Sequence, residues 1–208
     1  MIDIIEEREY CPYSHGLKQM MELHSKRERN LINDTFLILE HTPTYTLGKR
    51  GGVENIIIKN DIPVFETDRG GNITYHGPGQ VVVYPIINIK KINIGIKEYI
   101  YRLEELSIKS LEYFGVKATR SKINHGVWVD NKKIASIGVR VKNGITIHGI
   151  AININTDLKP FSWINPCGLV GFEATSVKEI LHKEVNIAIV KKIIGGNIKN
   201  VFPELFSE

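Results

Sequence analysis

The feature that most constrains this chain is the glycine-rich stretch over residues 69–80, Arg-Gly-Gly-Asn-Ile-Thr-Tyr-His-Gly-Pro-Gly-Gln. Four of these twelve residues are glycine, which reaches backbone conformations closed to other residues and lets a ligand or another segment come close. We therefore expect the stretch to shape a surface that something else touches, and not to pack a core. Because the strand-like run Val81–Ile89 follows at once, we expect it at the edge of a rigid sheet.

An ordinary long turn between two strands is the alternative interpretation, since Gly and Pro are common turn residues. A turn does not need the Arg, Thr and His that the glycine-rich stretch contains. The stretch also has neither the G-x-x-x-x-G-K-[ST] order of a phosphate-binding loop nor a G-x-G-x-x-G that opens a helix. The sequence therefore favours a binding surface of another kind.

Composition indicates an ordinary globular protein with one domain over residues 1–208. The chain is 42% hydrophobic and 24% charged, and no stretch approaches the ~20 apolar residues that span a bilayer. Its net charge of +4 comes without a Lys/Arg block, so we expect neither nucleic acid nor a membrane as a partner. The N-terminus lacks an apolar signal core and only two cysteines occur, so we expect a cytoplasmic protein with free thiols.

Hydrophobic periodicity predicts a few helices and several short strands. The predicted helices cover residues 12–30, 96–114, 177–181 and 185–202, the last interrupted at Gly195-Gly196. The predicted strands cover residues 1–8, 35–40, 41–48, 63–67, 81–89, 127–130, 133–141 and 145–153. Hairpin turns are predicted at 130–132 and 142–144. Runs of strands flanked by helices indicate an α+β fold, a mixed and largely antiparallel sheet packed with helices.

Cys167 is a candidate nucleophile because it lies between Pro166 and Gly168, in a turn and not within a strand or helix. A free cysteine is most often a small buried hydrophobe, and that interpretation stays open here. An accessible thiol beside a cation instead has a lowered pKa and becomes reactive. Cys11, near the N-terminus, is expected to be structural or incidental.

Lys133 opens an apolar run that contains Ile134, Ala135 and Ile137. Most lysines in such a place are solvated, but a lysine at the wet end of an inner strand can reach into a cleft. Its ammonium would there favour the thiolate of a nearby cysteine, and its neutral amine could accept a proton. No C-x-x-C or H-x-x-x-H spacing occurs, so we expect no metal and no cofactor.

Six segments stand out in order along the chain. They are the glycine-rich stretch, Tyr84-Pro85, Gly126-Val-Trp-Val129, Lys133-Ile-Ala-Ser-Ile-Gly138, His148-Gly-Ile-Ala-Ile-Asn153 and Pro166-Cys-Gly168. In this order they resemble lipoyl(octanoyl) transferases, the octanoyltransferases of lipoate biosynthesis, from about Tyr45 to about Ser176. The chain departs from the family pattern at residues 48–50 and 123–125. Both departures lie outside Lys133 and Cys167 and therefore concern the docking of partners.

The resemblance implies a fold like that of biotin- and lipoate-protein ligases, and a reaction. Octanoyl passes from acyl carrier protein to a lysine ε-amine of lipoyl domains, in 2-oxoacid dehydrogenase complexes and in the glycine cleavage H protein, through a cysteine thioester. The enzyme is then expected to be a monomer with Cys167 as nucleophile and Lys133 as its partner. The implied substrate contacts are Arg69, Gly70, Gly71, Asn72, Ile73, Thr74, Tyr75, His76, Ser136, Ile137, Gly138, Gly149, Ile150 and Ala151.

Two other functions remain as alternatives. An ATP-dependent lipoate- or biotin-protein ligase has the same fold but needs no nucleophilic cysteine, so the Pro-Cys-Gly motif favours the transferase. A non-catalytic protein that merely binds lipoyl domains would be favoured by a missing Cys or Lys, and both are present.

Overall fold

The computed structural model describes residues 2–121, 124–165 and 173–206, and these residues form ten strands and four α-helices. The strands are β1 (Ile2–Cys11), β2 (Asp34–His41), β3 (Thr44–Leu47), β4 (Val64–Glu66), β5 (Ile73–His76), β6 (Gln80–Ile86), β7 (Thr119–Arg120), β8 (Val127–Val129), β9 (Lys132–Lys142) and β10 (Ile145–Asn153). The helices are α1 (Tyr13–Glu28), α2 (Ile96–Glu112), α3 (Val177–Leu181) and α4 (Ile187–Val201). No helix among these residues is both long and apolar enough to cross a bilayer.

The strands form one large and one small sheet. The large sheet has the order β1-β2-β6-β10-β9-β8-β7, with β1 parallel to β2 and every other pair antiparallel. The small sheet has the order β4-β3-β5, with β3 parallel to β4 and antiparallel to β5. The predicted α+β class with mixed, largely antiparallel pairing is confirmed.

Three apolar clusters hold these layers together. One face of the large sheet packs against α2 and α4, and its buried residues include Val83, Leu103 and Ile194. The opposite face packs against α1 through Met20 and the neighbouring strand residues. A third cluster, around Tyr75, belongs to the small sheet. Burial of apolar side chains on both faces accounts for the continuously buried sequences of β2, β6 and β10.

The turn between β9 and β10 has the conformation that its sequence predicts. Asn143 and Gly144 have φ angles of 54° and 87°. Two consecutive positive φ angles define the type I′ hairpin turn, for which Asn-Gly is the preferred pair. The hairpin therefore fixes the β9–β10 register, which begins at Lys142 and Ile145.

Two sequence-based expectations are wrong. Helix α4 continues through Gly195-Gly196 without interruption, because the buried side chains Ile194 and Ile198 pack on either side of the pair. The glycine-rich stretch does contribute to a core: Ile73 and Tyr75 are 2% and 3% exposed, since residues 73–76 form β5.

Candidate active site

A cavity of about 730 Å³ lies between the two sheets. It is lined by Lys133 and by every implied substrate contact except Tyr75. Tyr75 points into the core of the small sheet, where its ring lies 5.5 Å from Phe161 and 5.7 Å from Tyr45. The structure thus brings segments from three distant parts of the chain, 69–76, 133–138 and 149–151, to one enclosed surface.

Lys133 is buried in the wall of this cavity, with 5% of its surface exposed. Its Nζ lies 5.3 Å from the ring centroid of Trp128, within cation–π range. Its backbone N–H donates to the Glu173 carbonyl and its carbonyl accepts from Thr175 N–H, both at 2.9 Å. These two bonds make Ala174 a short parallel bridge partner of Lys133. The solvated interpretation of Lys133 is therefore wrong.

The loop before β8 lies directly against the Lys133 side chain. Gly126 has a φ of +129°, and a Cβ there would lie 2.5 Å from Lys133 Cε and 2.5 Å from the Ala135 carbonyl oxygen. Glu104 of α2, itself 5% exposed, holds this glycine by accepting from its N–H at 3.0 Å. The Gly-Val-Trp motif therefore provides the space and the aromatic surface that Lys133 occupies.

Cys167, the implied nucleophile, lies outside the described residues. The described segments on its two sides are both held by backbone hydrogen bonds. Asn165 N–H donates to the Asn55 carbonyl at 2.8 Å, and Ile164 forms an antiparallel bridge with Ile56. On the other side, residues 173–175 pair with the backbone of Lys133.

Residues 68–72, which we call the arch, form the roof of the cavity and connect the two sheets. Arg69, 7% exposed, donates from Nη2 to the Thr46 carbonyl at 2.6 Å and to Thr46 Oγ1 at 2.8 Å. Gly70 N–H donates to the Val139 carbonyl at 3.0 Å. Arg69 thus holds the arch to the small sheet, and Gly70 holds it to β9 of the large sheet.

Asp68 provides a second attachment of the arch to the large sheet. One carboxylate oxygen pairs with Arg140 Nη1, and the other lies 2.8 Å from His148 Nε2. Burial and the Arg69 and Arg140 cations lower the pKa of His148 to about 3. The imidazole is therefore neutral near pH 7, and it donates a hydrogen bond from Nε2 to the carboxylate.

His148 also marks an irregularity in β10. Its φ is +61°, a left-handed conformation that is rare for a non-glycine residue. The pairing of β10 with β6 ends just beyond it, at Ile150 and Val83. A Cβ on Gly149 would overlap the Val83 carbonyl oxygen, so the two backbones come too close here for any side chain. The regular β10–β6 ladder is thus interrupted at residues 148–149.

A buried chain of hydrogen bonds leads from the cavity to the segment after Cys167. His76 Nδ1 donates to Gln80 Oε1 at 2.7 Å, and Gln80 Nε2 donates to Asn153 Oδ1 at 2.9 Å. Asn153 Nδ2 then donates to the Thr175 carbonyl at 3.0 Å. Because an amide oxygen only accepts, His76 carries its proton on Nδ1. Burial lowers the pKa of His76 to about 3, so this ring is neutral as well.

Sequence reasoning missed Tyr13 and His41, two buried aromatic side chains beside His76. His41 Nε2 lies 2.8 Å from the Tyr84 hydroxyl, and burial lowers the pKa of His41 to about 4. The Tyr13 ring is 2% exposed and stacks on His76 with centroids 6.1 Å apart. Polar residues inside continuously apolar strands, such as Tyr84 after Val81-Val-Val, are the signal that could have identified part of this group.

Comparison with known proteins identifies the family of this chain. The family model described as the lipoyl protein ligase A/B catalytic domain matches residues 12–199. The chain belongs to this family. An octanoyltransferase of Alkaliphilus metalliredigens is 43% identical over 199 residues, which cover 92% of this chain and 91% of the relative. An octanoyltransferase of Desulfotalea psychrophila is 45% identical over 183 residues, 84% of this chain and 82% of the relative. With such relatives, the protein is an acyltransferase enzyme.

Solved structures agree on the fold. A lipoate-protein ligase A bound with ATP superposes with a TM-score of 0.75 at 15% identity, over 97% of this chain and 85% of the ligase. A bi-partite lipoate-protein ligase of Thermoplasma acidophilum, solved in a study of that ligase and its E2 lipoyl domain, gives 0.69 at 16% identity, over 97% and 83%. A biotin protein ligase of Aquifex aeolicus gives 0.56 at 13% identity, over 97% and 69%. The expected ligase-like fold is thereby confirmed.

Proposed function

We propose that this protein, as a single catalytic domain over residues 1–208, transfers octanoyl from octanoyl-acyl carrier protein to a lysine ε-amine of lipoyl domains. The acceptors are the lipoyl domains of 2-oxoacid dehydrogenase complexes and the glycine cleavage H protein. The reaction passes through a thioester at Cys167. The protein acts in the cytoplasm as a monomer and needs neither a cofactor nor a metal.

The observation that carries the proposal is the burial of Lys133 beside the segment that follows Cys167. The Lys133 backbone is hydrogen-bonded to residues 173 and 175 on either side of Ala174. Its side chain lines the same cavity as the arch. An ammonium in such surroundings favours the thiolate of a neighbouring cysteine, and the thiolate is the nucleophilic form.

The proposed reaction has two steps. The Cys167 thiolate attacks the thioester carbonyl of the donor, and the pantetheine sulfur leaves and takes a proton from the Lys133 ammonium, which becomes a neutral amine. The acceptor amine then attacks the Cys167 thioester and loses a proton to Lys133, and the Cys167 thiolate leaves. A covalent intermediate divides one difficult exchange into two easier ones.

The arch and the neighbouring strands supply what these steps need besides the two catalytic residues. Backbone N–H groups of a glycine-rich segment can donate to the oxyanion of each tetrahedral intermediate. The cavity volume of about 730 Å³ exceeds what an eight-carbon chain needs, so part of the pantetheine arm also fits inside. The surrounding apolar side chains exclude water that would otherwise hydrolyse the thioester.

The direct test is intact mass spectrometry after incubation with octanoyl-acyl carrier protein, followed by peptide mapping. We expect one octanoyl adduct on the peptide that contains Cys167, no adduct in Cys167→Ala, and full activity in Cys11→Ala. Transfer to an apo lipoyl domain should proceed without ATP and after chelation. Full activity of Cys167→Ala would refute the covalent mechanism, and strict ATP dependence would favour a ligase.

A second test separates the two roles of Lys133. Lys133→Arg keeps a cation but cannot accept a proton, since a guanidinium stays protonated. We expect this variant to form some acyl-enzyme and to discharge it at least about a hundredfold more slowly, which is within the usual contribution of a general base. The measurement is single-turnover loss of the preloaded adduct after the acceptor is added. Discharge at the parental rate would show that Lys133 is not the base.

A further inference from the structure

We infer that the Tyr13 ring is the end wall of the acyl-binding part of the cavity and limits the donor chain to about eight carbons. This inference rests on the proposed function and names a specificity-determining residue outside the resemblance motifs. It is drawn from the register of the large sheet, the position of α1 and the length of an acyl chain.

The floor of the cavity follows one row of residues across the large sheet. Ser136 of β9 pairs with Ala151 of β10, and Ala151 pairs with Val82 of β6. All three line the cavity. The next residue of the row, Leu39 of β2, is fully buried. The floor, which we call the acyl slot, therefore extends over three strands and ends before the fourth.

The first turn of α1 covers the end of the slot. A Cβ on Gly16 would lie 2.6 Å from His41 Cε1 and 3.2 Å from Leu39 Cδ2, so this turn packs tightly on the end of β2. Tyr13 is the first residue of the helix, follows Pro12, and lines the cavity from there. Its ring is held by His41 at 5.1 Å and by Phe65 at 5.2 Å between centroids. These contacts from several sides fix the position of the ring.

The length of the slot fits the proposed substrate. Neighbouring strands are about 4.8 Å apart, so the distance from β9 across β10 to β6 is roughly 10 Å. Seven carbon–carbon bonds of about 1.5 Å in an extended zigzag cover roughly 9 Å. The reacting end belongs at β9, because Lys133 lies on that strand. The methyl end of an octanoyl chain then reaches β6, beside Tyr13.

The small side chains of the floor and the large ring at its end should affect the preferred length of the acyl chain in opposite ways. Ala151 leaves room above the sheet, and filling that room should shorten the slot. Tyr13 closes the slot, and removing its ring should lengthen it. Two substitutions in the same cavity should therefore shift chain-length preference in opposite directions, which general damage to the fold cannot do.

The test measures kcat/KM for hexanoyl, octanoyl, decanoyl and dodecanoyl thioesters of acyl carrier protein. In Tyr13→Ala we expect the dodecanoyl-to-octanoyl ratio to rise at least about tenfold, as one or two methylenes in an apolar site already give changes of this size. In Ala151→Leu we expect the preference to move toward hexanoyl. Tyr13→Phe keeps the ring and should retain the parental profile, and so should Tyr10→Ala, a truncation of an exposed tyrosine on β1.

An unchanged chain-length profile in folded Tyr13→Ala overturns the inference, even if total activity falls. If that variant does not fold, Tyr13→Leu provides the same test, since it also removes the ring but keeps an apolar side chain against Phe65. Failure of the parent protein to accept any acyl thioester would instead refute the proposed function. The two failures are therefore distinguishable.

Discussion

Three Gly-Gly pairs occur in this chain, and two of them, Gly70-Gly71 and Gly195-Gly196, lie in very different surroundings. Gly70-Gly71 lies in the arch on the cavity face of the large sheet, where Gly71 has a φ of +93°. Gly195-Gly196 lies inside α4 on the opposite face, and a Cβ on Gly196 would meet nothing within 4 Å. Gly71 of the first pair is required by its backbone geometry, whereas the second pair is merely tolerated. A glycine is structurally required only where its backbone conformation or its neighbours exclude a side chain.

The largest effect is expected when the first pair is altered. In Gly71→Ala the φ of +93° becomes strained, and the new Cβ lies 3.3 Å from Arg69 Nη1, so the guanidinium on Thr46 must shift. A displacement of about 1 Å at a site of group transfer can lower the rate roughly a hundredfold. We expect a loss of that size in octanoyl transfer.

Gly115→Ala is the matched control for this prediction. Gly115 has a φ of +76°, and a Cβ there would meet nothing within 4 Å, so the variant carries similar backbone strain away from the cavity. It should lower the melting temperature without changing transfer. Equal activity losses in both variants would mean that the arch glycine matters only for stability.

A smaller effect is expected at the attachment of the arch to the large sheet. Asp68→Asn removes the negative charge that pairs with Arg140 and weakens the bond to His148. Because Arg69 and Gly70 still hold the arch, we expect KM for the acyl donor to rise about tenfold, equivalent to roughly 1.4 kcal/mol, with a smaller change in kcat. Steady-state kinetics measure this, with Asp61→Asn at an exposed aspartate as control. A purely kcat effect would contradict a role in binding.

Acid should destabilise the cavity face of the molecule. His41, His76 and His148 have pKa values lowered to about 4, 3 and 3 by burial, below the value near 6.5 of an unfolded chain. Between about pH 6.5 and 4 the unfolded chain binds more protons, so the free energy of unfolding falls as pH is lowered. The slope reaches at most about 1.4 kcal/mol per pH unit for each histidine.

Urea unfolding at several pH values measures this slope. We expect His76→Gln to reduce this slope by about the contribution of one histidine, and the exposed His125→Gln to leave the slope unchanged. The same slope in both variants would show that His76 is not neutral in the folded protein.

The smallest effect is expected at the second glycine pair. Alanine is favoured over glycine in a helix interior by about 1 kcal/mol. The space around Gly195 and Gly196 is open or in ordinary contact with Ile4 at 3.6 Å. The double variant Gly195→Ala/Gly196→Ala should therefore unfold at higher urea concentration and retain full transfer activity. A loss of stability would show that the pair is needed where it lies.

The sequence predicts the fold class and the strands because their signals are local. The Asn143-Gly144 turn, the alternation of the strands and the helical periodicities each depend on a few neighbouring residues. The interruption predicted in α4 is wrong for the same reason, since burial of Ile194 and Ile198 is a tertiary effect that outweighs glycine's low helix propensity. Local helix propensity predicts structure poorly where tertiary packing determines the backbone conformation.

The site is predicted only in part. Lys133 and the arch carry motifs, whereas Tyr13 reaches the cavity through helix docking and His41 reaches Tyr84 through strand register. Pairing of Leu39 with Val82 joins residues 43 positions apart, and nothing within either strand encodes that distance. Such residues become visible only when the sheet is assembled, because one register among several places them together.

The anchors on both sides of residues 166–172 have a consequence for reactivity. Asn165 is fixed beside Asn55, and Glu173 is fixed to Lys133, so both ends of the intervening segment are held in place when the protein folds. A chain of seven residues spans at most roughly 25 Å. The entropy of closing the loop between these anchors is lost when the protein folds and not at each turnover. In the language of tethered reactants, the length of this short segment determines the effective concentration at which a thiol on it, as we propose for Cys167, would meet Lys133.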